Sequence, residues 1–293
     1  MYRKSFGDRV FNSVNALILI ALSLICLYPV VHVLMSSISD PGKLMAHQGL
    51  MVWPQGFSLK GYEYVFRNPN IISGYKNTLA YMLLGTTINI LLTALGAYAF
   101  SRKGMMFIRP LMLLVVFTMY FGGGLIPWYI ILKKLGMINN IWGMVLPGAI
   151  ATYNLIVMRT SFMGIPDSLE ESARIDGAND WVILFRIVLP LSKAVIAVMV
   201  LYYAVGHWNS WFNASILLTS REKFPLQLIL REILISNDKS VSMQNIVSPV
   251  ERAQYQDLIQ YAAIIVGTLP VFFLYPFLQK YFTKGVMIGG IKG

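Results

Sequence analysis

The chain has 293 residues, of which 56% are hydrophobic and only 13% are charged, and it carries a formal net charge of +11. Soluble domains are less apolar and about a quarter charged, so this composition excludes an ordinary soluble enzyme and points to an integral membrane protein. The positive balance does not indicate nucleic acid: the cations cluster beside apolar stretches, with no basic stripe interleaved with stacking aromatics.

Six stretches approach the ~20 apolar residues that a bilayer core requires. The first, 14–36, is too long for a signal-peptide core and lacks a small-residue cleavage site, so it predicts a retained anchor. It holds Cys26, the only cysteine, which rules out an internal disulfide, and no Cys/His metal spacing is present. A polar loop follows, in which 58–70 predicts a short helical element. The second and third spans are 77–100 and 110–132. Gly122-Gly123-Gly124 followed by Pro127 predicts a break in the third, either against a cavity or where a span end reaches the interface. The fourth span is 141–158 and the fifth 194–212, with a polar connection, 159–193, between them. In the next loop, "FPLQLILREILI" predicts an amphipathic helix with Leu226, Ile229, Leu230 and Ile233 on one face. The sixth span is 258–279, and the tail is "GVMIGGIKG". No internal repeat or low-complexity linker interrupts the chain, so 1–293 is expected to form a single domain.

Thirteen of the 24 Lys and Arg lie in the two termini, the 101–109 connection and the 159–193 connection. Nine of the remaining eleven fall in two long loops, where charge constrains topology weakly. Both termini and the 159–193 segment are therefore expected in the cytoplasm. No Asp, Glu, Lys or Arg lies within any of the six spans, which argues against a carrier that couples ions or protons itself. His32 and His207 are the titratable exceptions, and a lone intramembrane histidine serves either packing or relay. No phosphate-binding loop, zinc-protease motif or nucleophile elbow occurs, so no catalytic residue is assigned, and any use of ATP must rest with another chain.

The connection between the fourth and fifth spans, "DSLEESARIDGANDWVILFRIVLP", holds five of the thirteen acids. Ser168 with Glu171, and Asp167 with Glu170, have capping-box spacing, and Glu170 can pair with Arg174 at i,i+4. Ser172 and Ala173 are small enough for another surface to approach closely. Gly177 suits a helix C′ position, and Asn179 or Asp180 can cap a second helix. Trp181, Leu184, Phe185 and Val188 then form one apolar stripe, closed by Pro190. Such a hairpin either lies on lipid headgroups or docks a soluble partner. Its acidic first helix favours docking, because an anionic leaflet repels it.

Glu171-Ser172-Ala173, Gly177 six residues after Glu171, and Ile187-x-Leu189-Pro190 resemble the EAA loop of ABC importer permeases, with Ser172 replacing the first alanine. Asp176-Gly177-Ala178 is similar to the version in the sugar-importing, maltose-type branch. "FGGGLIPWYIILKKLGMINNIWGMVLP" resembles permeases grouped with polysaccharide-derived oligosaccharide uptake in Gram-positive bacteria. The resemblance covers essentially the whole chain. It implies an all-α, six-span type I importer permease of MetI-like fold in the bacterial cell membrane, importing a carbohydrate. It implies as partners an ABC ATPase dimer holding ATP and Mg, a second, paralogous permease and an extracellular solute-binding lipoprotein. It assigns coupling to Glu171, Ser172, Ala173, Asp176, Gly177, Ile187, Leu189 and Pro190, hairpin anchoring to Trp181, Leu184 and Phe185, and a tail toward the ATPase to Gly289, Gly290 and Lys292.

Sugar transport calls for hydroxyl-matching groups and aromatic platforms. His207, Trp208, Asn209, Tyr120 and Asn154 are the candidates, with Asn89, Tyr153 and Trp211 behind them. Each has an ordinary alternative, interfacial belt for the tryptophans and helix–helix hydrogen bonding for the amides. The rival functions are the same fold importing a peptide, polyamine or phosphonate, and a scaffold that docks a partner without conducting solute.

Overall fold

The computed structural model describes residues 6–102, 104, 106–235 and 255–273, and every regular element among them is helical. In chain order these are α1 (Phe6–Ser37), α2 (Pro41–Ala46), α3 (Lys60–Arg67), α4 (Pro69–Ser101), α5 (Ile108–Tyr120), α6 (Leu125–Lys134), α7 (Ile141–Val145) and α8 (Thr152–Met163). There follow α9 (Asp167–Ile175), α10 (Asp180–Ile183), a π-helical turn (Leu184–Val188), α11 (Leu189–Leu191), α12 (Lys193–Trp208), α13 (Trp211–Leu217), a 3-10 turn (Arg221–Lys223), α14 (Leu226–Ile235) and α15 (Tyr255–Phe273).

Among the described residues three helices, α1, α4 and α15, are each long and apolar enough to cross a membrane. Two bent pairs bring the number to five, α5 with α6 at 110° and the α10–α11 run with α12 at 85°. The first bend falls at the predicted glycine run, where Gly124 adopts φ 83° and the helix restarts at Leu125, with Pro127 in its first turn. The third predicted span is thus a 13-residue helix followed by a turned one.

The fourth predicted span, 141–158, departs further from expectation. α7 and α8 are separated by an irregular segment, 146–151, that contains Pro147 and Gly148 at φ 75°. Proline brings no amide hydrogen and glycine turns the chain, so the helical ladder is lost there. The freed groups find side chains instead. Asn89 Nδ2 donates to the Ala149 carbonyl at 2.7 Å, and the Ala151 amide donates to the Tyr203 hydroxyl at 3.1 Å.

The chain divides into two compact units. One comprises residues 6–71, 230–235 and 255–269. Here α3 meets α15 so closely that a Cβ on Gly61 would lie 2.9 Å from the Leu258 carbonyl. Asp40 caps α2 by accepting the Gly42 and Lys43 amides, and His32 meets Tyr261 edge-on at 5.8 Å. No residue of the most apolar stretch of α1 is buried.

The other unit comprises 72–229 and 270–273, and its described residues form two apolar cores. One joins α4 (Ala94, Ala97, Tyr98), α8 (Leu155, Met158, Phe162) and the second half of the hairpin (Ile183, Leu184, Val188). The second joins Tyr81, Leu132, Met144, Ala214, Leu217 and Leu228. Between them, His207 Nε2 lies 2.7 Å from Asn89 Oδ1, and Thr93 shares a 2.7 Å hydrogen bond with Tyr203. The histidine fits only because residue 85 is glycine, since a Cβ there would sit 2.3 Å from its Nε2. As predicted, Leu226, Ile229, Leu230 and Ile233 form the buried face of α14.

Replacing Asn89 by leucine strips the Ala149 carbonyl and His207 of their partner at membrane depth. The expected loss is about 1–3 kcal/mol, the cost of leaving a buried polar group unpaired. Gly85→Ala destabilises as well, because His207 must move off its bond. Thermal unfolding of the detergent-purified chain measures both.

Candidate functional site

The site is the hairpin from α9 to α11. Pro166 fixes the entry and α9 starts at once with Asp167, its dipole favoured by Asp167 and Glu170 in the first turn. Because the helix starts this early, neither predicted capping box forms: no side chain caps the N-terminus, and the Ser172 hydroxyl donates back to the Ser168 carbonyl at 2.8 Å. At the other end Gly177 takes φ 83°. Its amide donates to Arg174 O at 3.0 Å and the Ala178 amide to Ala173 O at 2.9 Å, the paired bonds of a Schellman termination. Asn179 Oδ1 then accepts the Val182 amide at 2.9 Å and starts α10.

The acids of the hairpin take separate roles. Glu170 is buried and forms an ion pair with Arg102, just beyond the end of α4. The predicted Glu170–Arg174 pair is therefore absent. Arg174 reaches Asp180 instead, tying α9 to α10 at 2.5 Å. The Arg102 guanidinium also stands 4.7 Å over the Tyr98 ring, and the Tyr98 hydroxyl donates to Asp180 Oδ1 at 3.2 Å. Burial is the main influence on Arg102 and pulls its pKa below the usual arginine value, with Asp167 and Asp180 acting in the opposite sense. Arg159 Nε donates to the Phe100 carbonyl at 2.7 Å, closing the end of α4 from the α8 side.

Glu171, Ser172, Asp176, Gly177 and Pro190 are exposed, while Ala173, Ile187 and Leu189 are half-buried. Thus the residues assigned to coupling present an acidic, small-residue surface on one side of a clamped hairpin. The anchoring assignment needs correction. Leu184 is buried, but Trp181 is 62% exposed and Phe185 47% exposed, stacked on each other at 6.2 Å. Ile183, Leu184 and Val188 are the anchors. The π-turn over Leu184–Val188 has more residues per turn than the α-helix, so the buried face falls on 183, 184 and 188 rather than on an α-helical stripe from 181.

The proposed pathway residues do not converge. His207 is committed to Asn89, Asn154 is buried, Asn209 is exposed with its amide turned to Val205 O, and Tyr120 is 83% exposed at the end of α5. Trp208 lines a cavity of about 500 Å³, whose other walls include Met82, Leu83, Ile90, Val200 and Leu201. Among the described residues no group of three or more His, Cys, Asp or Glu could hold a metal. Gly289, Gly290 and Lys292 lie outside the described residues. Arg102 and Tyr98 were not predicted as site residues; their partners lie about 70–80 positions away, and no local spacing signals such contacts.

Apolar helices able to cross a membrane, with a capped polar hairpin whose inner face is clamped and whose outer face is acidic, define a polytopic membrane protein. Residues 105–288 match the family model described as binding-protein-dependent transport system inner membrane component. The chain belongs to that family of ABC transporter permeases. It is 39% identical over 288 residues to the polygalacturonan/rhamnogalacturonan transport system permease protein YtcP of Bacillus subtilis (strain 168), covering 98% of this chain and 99% of that one. It is 26% identical to the arabinooligosaccharides transport system permease protein AraQ of the same organism over the full length of both. Among solved structures it is similar to a chain of a bacterial ABC transporter involved in the import of the acidic polysaccharide alginate, with a TM-score of 0.86 and 32% identity over 96% of this chain and 100% of that one.

A Cβ added at Gly177 would meet no atom within 4 Å, so a substitution there meets only the backbone penalty of its positive φ. Gly177→Ala should cost about 1–2 kcal/mol of local stability and Gly177→Asn less. Amide exchange across Ala173–Ala178 checks that order.

Proposed function

We propose that this chain is the membrane-spanning subunit of an ATP-driven importer that moves an oligosaccharide delivered by an extracellular solute-binding protein. The observation that carries the docking half of this reading is the hairpin: Glu171 is exposed on its outer face while Glu170, one residue earlier, is held by Arg102. Adjacent residues on a helix point about 100° apart, so one carboxylate anchors the element while its neighbour stays available to a partner. In this reading ATP and its magnesium are bound by a separate ATPase dimer, and a second permease completes the pathway. The carbohydrate half is supported by the names of the relatives, which specify oligosaccharide and polysaccharide transport. The lack of charged side chains in the six predicted spans favours the ATP-driven half, since it leaves those spans without groups for ion coupling. The distribution of Lys and Arg favours both termini and the hairpin in the cytoplasm.

Two measurements test the reading. Mild purification of the tagged chain from its host should recover an ATPase and a second permease, and Glu171→Lys should lose the ATPase while still inserting in the membrane. A wild-type chain that runs alone would remove the docking assignment. Proteoliposomes of the recovered complex, given labelled neutral and acidic oligosaccharides beside peptides and polyamines, should take up an oligosaccharide only with ATP and binding protein present. Uptake of a non-sugar solute alone would retain the permease and overturn the substrate.

A further inference from the structure

The hairpin is fastened to the rest of its unit in two ways. Ile183, Leu184 and Val188 pack on α4 and α8 through apolar contacts, which are non-directional and let surfaces slide. The polar contacts go to one place only among those described, the last turn of α4 and the residue after it. Glu170 of α9 pairs with Arg102, and Asp180 of α10 accepts the Tyr98 hydroxyl at 3.2 Å. Charge-assisted bonds fix direction and register, so both halves of the hairpin are locked to the same helix end.

That helix is continuous. α4 runs for 33 residues, about 50 Å, with no break, whereas the third span turns by 110°, the fifth turns by 85° where it leaves the hairpin, and the fourth is interrupted at 146–151. Its far end is held as tightly as the near one. Asn77 Nδ2 donates to the carbonyls of Glu222 and Phe224 at 2.7 and 3.0 Å, and the Tyr81 hydroxyl donates to the Lys223 carbonyl at 2.7 Å. These two side chains lie one turn apart on α4 and grip consecutive peptide units of a single segment. From Asn77 to Arg102 the helix rises about 37 Å, more than the hydrocarbon thickness of a bilayer.

We propose that α4 is the strut by which displacement of the hairpin reaches the opposite face of the membrane, with Arg102 and Tyr98 as positioning residues at one end and Asn77 and Tyr81 at the other. The proposal rests on the reading of the hairpin as the docking element. Its mechanical content is separate: a push on the hairpin moves segment 222–224 because one unbroken helix is hydrogen-bonded to both.

The test uses the complete importer in proteoliposomes, with ATP hydrolysis and solute uptake measured on the same preparation. Arg102→Glu should lower uptake per ATP hydrolysed about tenfold, the scale of a site-to-site coupling. The charge-exchanged Arg102→Glu/Glu170→Arg chain should recover most of that uptake. Asn77→Ala/Tyr81→Phe, at the far end, should show the same split between hydrolysis and uptake. In the purified chain without partners, Arg102→Glu should speed amide exchange over α9, and the charge exchange should slow it again. Hydrolysis and uptake falling in proportion, no recovery on charge exchange, or full coupling in Asn77→Ala/Tyr81→Phe would each overturn the strut. Failure of the wild type to recover any ATPase would instead sink the docking reading, and the strut with it; the exchange data tell the two failures apart, since they report the clamp with no partner present.

Discussion

Within hydrocarbon every backbone amide and carbonyl needs a partner, and this constraint organises the larger unit. A chain of straight helices meets it trivially. This one interrupts its fourth predicted span at 146–151, so amides and carbonyls are released there from the helical ladder. Asn89 of α4 and Tyr203 of α12 supply the missing bonds to Ala149 and Ala151. Those side chains must themselves be positioned: His207 holds Asn89, Thr93 holds Tyr203, and Gly85 makes room for the imidazole. The broken span is tolerable because α4 and α12 carry its polar complement. α4 has to stay helical throughout, since any loss of its register would move Asn89 and Thr93 away from the groups they satisfy.

The same need for pairing explains the hairpin. A carboxylate that is buried next to an apolar core is costly unless paired, and removing one member of such a pair is more disruptive than never having had it. Glu170 meets that condition through Arg102, which in turn rests on the Tyr98 ring. Glu171 is turned about 100° away and faces no such cost in solvent. Two consecutive glutamates with the same chemistry thus differ in use because the helix that carries them is pinned on one side. Asp180 plays a similar double part, joining α9 through Arg174 and α4 through Tyr98. The hairpin is consequently stiff where it meets the spans and open where a partner would meet it.

Local features were legible in the sequence. Gly177 and Asn179 take the capping roles that their chemistry favours, α14 buries the face that its periodicity marks, and the glycine run before Pro127 bends the chain. What was not legible depends on contacts far apart in the chain. Spacing offered Glu170 a partner in Arg174, but the preferred partner, Arg102, is 68 residues upstream. The stripe from Trp181 assumed an α-helical period, and a single π-turn shifts the buried face, a change that no residue type in Leu184–Val188 announces. Hydropathy alone made 141–158 one span, although Pro147-Gly148 within it carried the information that it breaks.

The fate of the polar residues in the spans bears on selectivity. A sugar site needs several side-chain donors and acceptors that are not already committed. His207, Asn89, Tyr203 and Thr93 are committed to one another and to the backbone of the interrupted span. The cavity beside Trp208 is lined almost wholly by aliphatic side chains, with Thr86 and Thr87 the exceptions. Under the proposed reading, a solute that met this face would find a smooth wall and few directional contacts. In that reading a smooth wall suits a subunit that opens and closes, because binding a sugar tightly in the pathway would deepen the well from which it must leave. Under the proposed reading, discrimination falls to the protein that delivers the solute, and this chain contributes the movement that lets it through.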